Sequence, residues 1–256
     1  MVDKRIVIKV GSSTLTHEGG KPNLQKLEQL ARVISEMKNR GHEVVLVSSG
    51  AIAVGKGRMK ISSKPDIATK QALAAIGQSD LIGFYDRFFS EYGYAAAQIL
   101  MNRDVIDYEN RKQNVINTLE KIIELDAVPI VNENDSVSTE EILFGDNDNL
   151  SAIVANLANA SMLIILTDID GLYTDNPREN KDAEKIDVVY DITDEMIENA
   201  GGTGSGSKVG TGGMKTKLEA ARYCKKHGIK TVIMSGENPN DIYKLLDGEK
   251  IGTIFC

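Results

Sequence analysis

The sequence has few residues of the kinds that build metal centres or disulfide-stabilised folds. Only two of the 256 residues are cysteines, Cys224 and Cys256, and they lack the spacing of metal ligands. We expect both to be reduced thiols, buried or without a role. The three histidines, His17, His42 and His227, are expected in solvated turns next to helices. The sequence therefore offers no histidine candidate for catalysis.

The sequence also lacks an excess of basic residues and any long hydrophobic run. Lys and Arg total 30 against 37 Asp and Glu, which gives a formal net charge of -7. Nucleic acids and anionic membranes bind basic surfaces, so we expect neither as a partner. No apolar run approaches the length of a membrane-spanning helix, and the N-terminus has no apolar signal-peptide region. These absences predict a cytoplasmic protein.

The sequence does contain a regular alternation of apolar strands and amphipathic helices. Residues 5–10 and 43–47 are predicted strands, and apolar residues recur at helical spacing between Asn23 and Gly41. Strand, helix and strand in this order form a βαβ unit. The alternation continues to a last strand at residues 252–255. We predict one domain of the α/β class, a three-layer α/β/α sandwich with a mainly parallel central sheet.

Two clusters of Asn and Asp flank one loop and indicate a site. The sequence Asn-Glu-Asn-Asp at residues 132–135 follows an apolar strand, and Gly-Asp-Asn-Asp-Asn follows at 145–149. Ligands of open α/β sheets collect beyond the carboxyl ends of the strands. Asn and Asp side chains can hold an ammonium group or Mg²⁺ there. One such cluster would fit a surface turn equally well, but two clusters together favour a binding site.

Phosphate chemistry is indicated by a combination of lysines and glycines. Neither a Walker A motif nor a dinucleotide-binding glycine fingerprint is present. Instead, Lys9 precedes a Gly-Ser-Ser turn, and Lys215 and Lys217 lie at the start of a helix preceded by Thr-Gly-Gly. Backbone N–H groups at a helix start favour phosphate. Each lysine alone is more often a surface residue, so only the combination predicts a site.

A glycine-rich stretch at residues 201–213 either links domains or wraps a ligand. The elements that follow it are too few for an independent domain, so we expect it to lie inside the single domain. Glycine permits both a hinge and the close approach of backbone to a ligand. We therefore predict that this stretch becomes ordered over bound phosphates.

Taken together, these motifs resemble those of the amino acid kinase family. The matching segments follow the family's order through the chain: residues 9–13, 48–52, 132–135, 144–150, 166–174 and 210–217. The pairing of Asn-Glu-Asn-Asp and Gly-Asp-Asn-Asp-Asn-Leu with Gly-Thr-Gly-Gly-Met-x-Thr-Lys resembles the branch that phosphorylates glutamate. The resemblance implies the carbamate kinase-like fold. It also implies transfer of a phosphoryl group from ATP, with Mg²⁺, to the γ-carboxylate of L-glutamate as the first step of proline biosynthesis.

The resemblance also implies roles for individual residues. Lys9 and Lys217 would neutralise the transferred phosphoryl group, and Asp148 would orient both lysines. A carboxylate between two lysines offsets their repulsion. No general base is needed, because a glutamate side chain is already ionised at neutral pH.

Substrate and nucleotide sites follow from the same resemblance. Glutamate would be bound by Ser49, Gly50, Asn132, Asp135 and Asn147, with Asp135 facing the α-ammonium group. The nucleotide would be bound by Lys9, Gly11, Thr167, Asp168, Thr211, Gly212, Gly213, Met214, Lys215, Thr216 and Lys217. Mg²⁺ would bridge phosphates through water and nucleotide oxygens, without dedicated protein ligands. We expect the N-terminal half to bind glutamate and the C-terminal half to bind ATP.

Two features depart from the family's usual pattern. Relatives often carry Tyr-Thr-x-Asp-Pro near the adenine pocket, but here residues 173–177 read Tyr-Thr-Asp-Asn-Pro, so Asp175 is not assigned to ATP. Many relatives continue into a PUA domain, and we expect this chain to be the short form without one. The resemblance further implies a homo-oligomer, a dimer or tetramer, feedback inhibition by proline, and functional coupling to glutamate-5-semialdehyde dehydrogenase.

Other functions of the same fold remain open at this point. Kinases acting on acetylglutamate, aspartate, carbamate or a nucleoside monophosphate share it, and fold alone does not separate them. Carbamate has no α-ammonium group for the Asn and Asp residues to hold, and few arginines are available for a nucleotide monophosphate. A noncatalytic amino-acid sensor would be expected to lose the phosphate lysines, whereas Lys9 and Lys217 are both present.

Overall fold

The computed structural model describes residues 4–138, 147–177, 179–200 and 213–256. The strands are β1 (Arg5–Val10), β2 (Glu43–Val47), β3 (Ala96–Met101), β4 (Val128–Glu133), β5 (Met162–Thr167), β6 (Leu172–Tyr173), β7 (Lys185–Ile186), β8 (Val188–Val189), β9 (Lys230–Ser235) and β10 (Thr253–Phe255). The helices are α1 (Ser12–Leu15), α2 (Leu24–Asn39), α3 (Ala51–Arg58), α4 (Ile67–Ser90), α5 (Glu109–Glu124), α6 (Asn147–Leu157), α7 (Asp194–Ala200), α8 (Met214–Lys226) and α9 (Asp241–Leu246).

Eight of the described strands form one sheet in the order β3-β4-β2-β1-β5-β9-β10-β8. Every pairing from β3 across to β9 is parallel, and β10 then runs antiparallel to β9. Strands β6 and β7 form a separate antiparallel pair. The carboxyl ends of β4, β2, β1 and β5 therefore lie side by side at one edge of the sheet, where parallel α/β proteins bind ligands.

Helices cover both faces of this sheet. Side chains alternate along β1, so that Ile6 and Ile8 pack with α2, α4 and α9, whereas Val7 packs with α5, α6, α7 and α8. All six residues of β4 and of β5 are buried, as expected for strands covered on both faces. The predicted three-layer α/β/α architecture with a mainly parallel sheet is therefore confirmed.

Local sequence explains where the helices begin. The side chain of Asn23 accepts a hydrogen bond from the Lys26 backbone N–H at 3.1 Å, which caps α2 as predicted. Asp66 caps α4 in the same way through the Thr69 backbone N–H at 2.8 Å. The predicted apolar face of α2 is buried from Leu27 onward, but Leu24 at its first turn is 50% exposed.

The sequence interpretation missed several short elements. The charged stretch after Pro177, where the sequence shows no apolar strand or amphipathic helix, contains β8, which forms the last strand of the sheet, and α7. A strand of two residues is too short to show a period of two. The turn predicted after β1 includes the single helical turn α1. Within the described ranges, none of the helices has both the length and the apolar character needed to cross a membrane.

Helices α3 and α4 cross at very short range because glycines lie at the contact. A Cβ atom added at Gly77 would lie 1.9 Å from the carbonyl oxygen of Ala51, and one at Gly55 would lie 2.0 Å from that of Leu73. Helix α3 starts directly after Gly50, whose φ of 97° falls in the left-handed region that favours glycine. The crossing therefore fixes the turn that follows β2 against α4.

We predict that Gly77→Ala destabilises the protein by ~2–3 kcal/mol, because the added methyl group overpacks a backbone contact that cannot relax locally. Gly83→Ala on the same helix is the matched control. A Cβ atom there meets nothing within 4 Å, so the substitution should stabilise the helix by up to ~1 kcal/mol. Urea unfolding of both variants measures the difference. Equal stabilities would contradict the close crossing.

Candidate active site

Buried polar side chains collect at the carboxyl ends of the four central strands. The interiors of these strands are apolar, and polar groups are buried only at their ends. Burial of a polar group is costly unless the group forms a hydrogen bond or an ion pair. The residues concerned are Ser48 and Ser49 after β2, Asn132, Glu133 and Asp135 at and after β4, Thr167 at the end of β5, Lys9 in β1, Asn147 and Asp148 in α6, and Lys217 in α8.

Two buried lysines converge on one buried carboxylate. The Asp148 side chain is fully buried, and its Oδ1 lies 2.6 Å from Nζ of Lys9. Its Oδ2 lies 3.0 Å from Nζ of Lys217 and also accepts a hydrogen bond from Oγ1 of Thr216 at 3.0 Å. The three charged residues come from β1, α6 and α8. The cluster carries one net positive charge and lies at the sheet edge where the ligand is expected.

Strand and helix periodicity explain how these side chains meet. Lys9 lies two residues after Val7 in β1, so both side chains point toward the face that α6 and α8 cover. Asp148 lies in the first turn of α6, where a carboxylate also favours the helix dipole. Lys217 is 5% exposed, although it lies in the first turn of α8. Its burial is explained by the ion pair with Asp148.

A chain of side-chain amides lies beside the charged cluster. Asn147 Nδ2 donates to the Ser48 carbonyl at 2.8 Å, to Ser49 Oγ at 3.0 Å and to Asn132 Oδ1 at 2.8 Å. Asn132 Oδ1 also accepts from the Glu133 backbone N–H at 3.0 Å. These contacts fix the orientation of both amides. Oδ1 of Asn147 is buried and has no hydrogen-bond partner within the described ranges.

Two side chains of helix α4, Gln78 and Tyr85, form hydrogen bonds with the amide chain and with Ser48 beside it. Asn132 Nδ2 donates to Oε1 of Gln78 at 2.8 Å. About two turns further along α4, the hydroxyl of the fully buried Tyr85 lies 3.0 Å from Ser48 Oγ. Neither Gln78 nor Tyr85 belongs to a sequence motif, and sequence reasoning missed both. Their spacing of seven residues is the only feature of the sequence that could have indicated a shared helical face.

A cavity opens at the end of β4, next to the amide chain. Its volume is about 320 Å³, near the lower end of the range of roughly 300–1,000 Å³ for small-molecule sites. The lining includes Gln78 from α4 and Glu133 and Asp135 after β4. Burial raises the pKa of Asp135 to about 6. Oδ1 of Asp135 has no hydrogen-bond partner in the described part of the chain, so the cavity presents an acidic acceptor.

Gly11, Thr167 and Asp168, which are expected to bind the nucleotide together with Lys9, lie at the ends of β1 and β5. In the sheet, β5 is on the side of β1 opposite to β4 and the cavity. A Cβ atom on Gly11 would lie 3.8 Å from the Leu166 carbonyl, so the turn after β1 touches the end of β5. There Thr167 Oγ1 donates to Asp168 Oδ1 at 3.2 Å, and Asp168 is exposed.

Helix α8 completes this side of the site. Gly213 is its N-cap, Met214 packs partly against the core, and Lys215 points to solvent, unlike Lys217. Two expected nucleotide-binding residues, Thr211 and Gly212, lie outside the described residues. So does the rest of the glycine-rich stretch before Gly213, for which a ligand-ordered segment was predicted.

The chain is similar to known proteins over nearly its whole length. The model of the amino acid kinase family matches residues 4–235. A glutamate 5-kinase of Clostridium perfringens is 53% identical over 98% of this chain and 95% of its own length. A glutamate 5-kinase of Caldanaerobacter subterraneus is 50% identical over 98% of this chain and 67% of its own length.

Solved structures show the same architecture at much lower identity. The UMP kinase of Ureaplasma parvum superimposes with a TM-score of 0.67 at 18% identity, covering 100% of this chain and 99% of that one. Likeness at this identity shows the fold alone. The shared fold therefore does not identify the phosphate acceptor, because a nucleotide kinase has it too.

We predict that Asp148→Asn destabilises the protein by ~3–5 kcal/mol, because it removes the buried negative charge that both buried ammonium groups contact. The control is Asp104→Asn, which breaks an exposed pair with Arg111 at 3.1 Å and should change stability by less than ~1 kcal/mol. Denaturant unfolding at neutral pH compares the two variants. Similar small losses in both would mean that Asp148 does not hold the lysines in place.

Proposed function

The chain belongs to the amino acid kinase family, and from that membership we propose that it transfers the γ-phosphoryl group of ATP to the γ-carboxylate of L-glutamate. The product would be L-glutamyl 5-phosphate, the first intermediate of proline synthesis from glutamate. Relatives about half identical over nearly the whole chain are glutamate 5-kinases, which supports this acceptor over acetylglutamate, aspartate or a nucleotide. A noncatalytic sensor is disfavoured by the retained lysine cluster.

The observation that carries the proposal is the pair of lysines joined by Asp148. Both reactants are anions, so the reaction needs positive charge where the γ-phosphate and the γ-carboxylate meet. Lys9 and Lys217 reach Asp148 from different elements, within 3.0 Å of its two oxygens. In phosphoryl transfer the protein mainly positions the reactants and stabilises charge on the transferred group. Two ammonium groups held in this way suit that role.

The amide chain and the cavity suit the end of glutamate that carries the α-ammonium group. Asp135 is a buried acceptor, and Asn147 Oδ1 is a second one, so an α-ammonium group would find partners that are not already engaged in the described part of the chain. Asn147 is adjacent to Asp148 in α6 and donates to Asn132, which in turn donates to Gln78 in the cavity lining, so this series of contacts joins the lysine cluster to the cavity. We therefore propose that Ser49, Gly50, Asn132, Asp135 and Asn147 bind glutamate, and that Gly11, Thr167, Asp168 and the start of α8 bind the nucleotide.

Mg²⁺ is proposed as the metal that accompanies ATP. Both Asp148 oxygens face lysines, so this carboxylate is not available as a metal ligand. Among the described residues, no group of three or more His, Cys, Asp or Glu side chains is placed to hold a metal ion. Mg²⁺ would be held mainly by phosphate oxygens and water and would neutralise phosphate charge. The division into a glutamate-binding N-terminal half and an ATP-binding C-terminal half belongs to the same proposal.

Further properties rest on the family resemblance alone. We propose a homo-oligomer, inhibition by proline, functional coupling to a glutamate-5-semialdehyde dehydrogenase that consumes the labile acyl phosphate, and a cytoplasmic location.

Trapping of the acyl phosphate tests the reaction directly. Hydroxylamine converts an acyl phosphate into a stable hydroxamate, so the purified chain is incubated with MgATP, hydroxylamine and one acceptor at a time. We expect hydroxamate from glutamate, and little from acetylglutamate or aspartate. ADP release without hydroxamate, or a preference for another acceptor, would refute the proposed function.

Lys217→Ala should lower kcat by ~10²–10³-fold, the size of the loss when one charge-stabilising donor is removed from an active site. The KM for glutamate should change little, because the charge matters most where negative charge moves in the transition state. Lys226→Ala, in the exposed last turn of the same helix, should retain parent activity. Steady-state hydroxamate formation measures both variants. An unchanged kcat in Lys217→Ala would remove this lysine from the site.

Asp135→Asn should raise the KM for glutamate more than tenfold, since loss of one member of a buried charged pair costs ~2–5 kcal/mol. The KM for ATP should stay within about twofold of the parent value. Equal changes in both KM values, or none, would make Asp135 part of the loop scaffold.

The same carboxylate predicts a pH dependence. Burial raises the pKa of Asp135 to about 6, so it is ionised at pH 7.5 and becomes protonated as the pH falls through about 6. An ammonium group binds the ionised form, so the KM for glutamate should rise below about pH 6 in the parent, and Asp135→Asn should remove this rise.

A further inference from the structure

We propose that Gln78 of helix α4 determines substrate specificity by donating a hydrogen bond from Nε2 to the α-carboxylate of the bound amino acid. This inference rests on the proposed function, because it assigns a partner to one group of the proposed substrate. Gln78 lines the cavity that also contains Asp135.

The orientation of the Gln78 amide follows from groups whose hydrogen-bonding roles are fixed. The Ser48 carbonyl only accepts, so the nitrogen of the Asn147 amide must face it, 2.8 Å away. That nitrogen donates to Asn132 at 2.8 Å, so Asn132 must present its oxygen there. The backbone N–H of Glu133 only donates and requires the same orientation of Asn132, at 3.0 Å.

The next contact in the chain then fixes Gln78. Since the oxygen of Asn132 is engaged, its nitrogen faces Gln78 and donates to Oε1 at 2.8 Å. The oxygen and nitrogen of a side-chain amide diverge from one carbon, so Nε2 of Gln78 points in a different direction from the Oε1 that faces Asn132. In the described part of the chain this nitrogen makes no hydrogen bond. Gln78 therefore has a donor left for a ligand. The orientation of this donor is set, through Asn147 and Asn132, by the Ser48 carbonyl and the Glu133 backbone N–H.

The charge pattern of the cavity shows what this donor suits. Asp135 supplies a buried carboxylate, which attracts an ammonium group and repels an anion. An α-amino acid also carries an α-carboxylate next to its ammonium group, and that carboxylate needs a donor. Hydrogen bonds to a charged group are stronger than those between neutral groups. The fixed amide of Gln78 provides a neutral donor that does not compete with Asp135 for the ammonium group.

Two substitutions at Gln78 test the direction of the hydrogen bond. Gln78→Met removes the donor and keeps the length of the side chain, and Gln78→Glu replaces the donor with an anion. We expect the KM for glutamate to rise roughly tenfold in Gln78→Met and further in Gln78→Glu, with the KM for ATP within about twofold of the parent. Gln113→Met, the same change on the exposed face of α5, should behave like the parent.

A ligand without the α-carboxylate separates this role from general support of the pocket. 4-Aminobutyrate has the ammonium group and the terminal carboxylate of glutamate but lacks the α-carboxylate. As a competitive inhibitor against glutamate, it should bind parent and Gln78→Met within about twofold of each other. Comparing the two ligands within one variant cancels any loss of folded protein.

Three results would overturn the inference. They are a parent-like KM for glutamate in Gln78→Met, a smaller rise in Gln78→Glu than in Gln78→Met, and an equal loss of affinity for glutamate and 4-aminobutyrate. The second would mean that Gln78 acts as an acceptor, and the third that it only supports Asn132. A parent chain that forms no hydroxamate from glutamate would instead refute the proposed function.

Discussion

The site depends on one buried carboxylate that holds two lysines from distant parts of the chain. Asp148 is fully buried, and each of its oxygens lies within 3.0 Å of a lysine nitrogen. Burial of an ammonium group without a counter-ion is costly, so the ion pairs with Asp148 favour the buried positions of both Lys9 and Lys217. The same contacts fix the first turns of α6 and α8 against β1. Three elements of the fold are thus held in register by the group that also organises the charge.

The first turn of α6 connects the two ends of the site. Successive residues on a helix point about 100° apart, so Asn147 and Asp148 face different partners. Asp148 faces the lysines, and Asn147 faces Ser48, Ser49 and Asn132. A shift of this turn would disturb both sets of contacts together. The first turn of one helix therefore links the proposed phosphate site to the amide chain beside the amino-acid cavity.

Features that are local in sequence could be predicted, and features that arise only from tertiary packing could not. The buried strands are continuous apolar runs, and the residues that end them form short motifs, so the architecture and the candidate site residues could be inferred from the sequence. Strand β8 is too short to show a pattern. Gln78 and Tyr85 lie on a helix more than 40 residues before Asn132, and no local pattern distinguishes them from ordinary helix residues. The packing of α4 against α3, α2 and β3 brings them next to the site.

The count of charges in the lysine cluster suits a reaction between two anions. Two lysines without Asp148 would repel each other, and their burial would be costly. A second carboxylate would neutralise the cluster and remove its attraction for phosphate. Counted over the residues that the structure describes, one carboxylate between two lysines leaves a single net positive charge, held by short contacts before any ligand arrives. Because the acceptor carboxylate of the proposed substrate is already ionised at neutral pH, the reaction needs no general base, and stabilisation of charge by such a cluster is the main chemical contribution left to the protein.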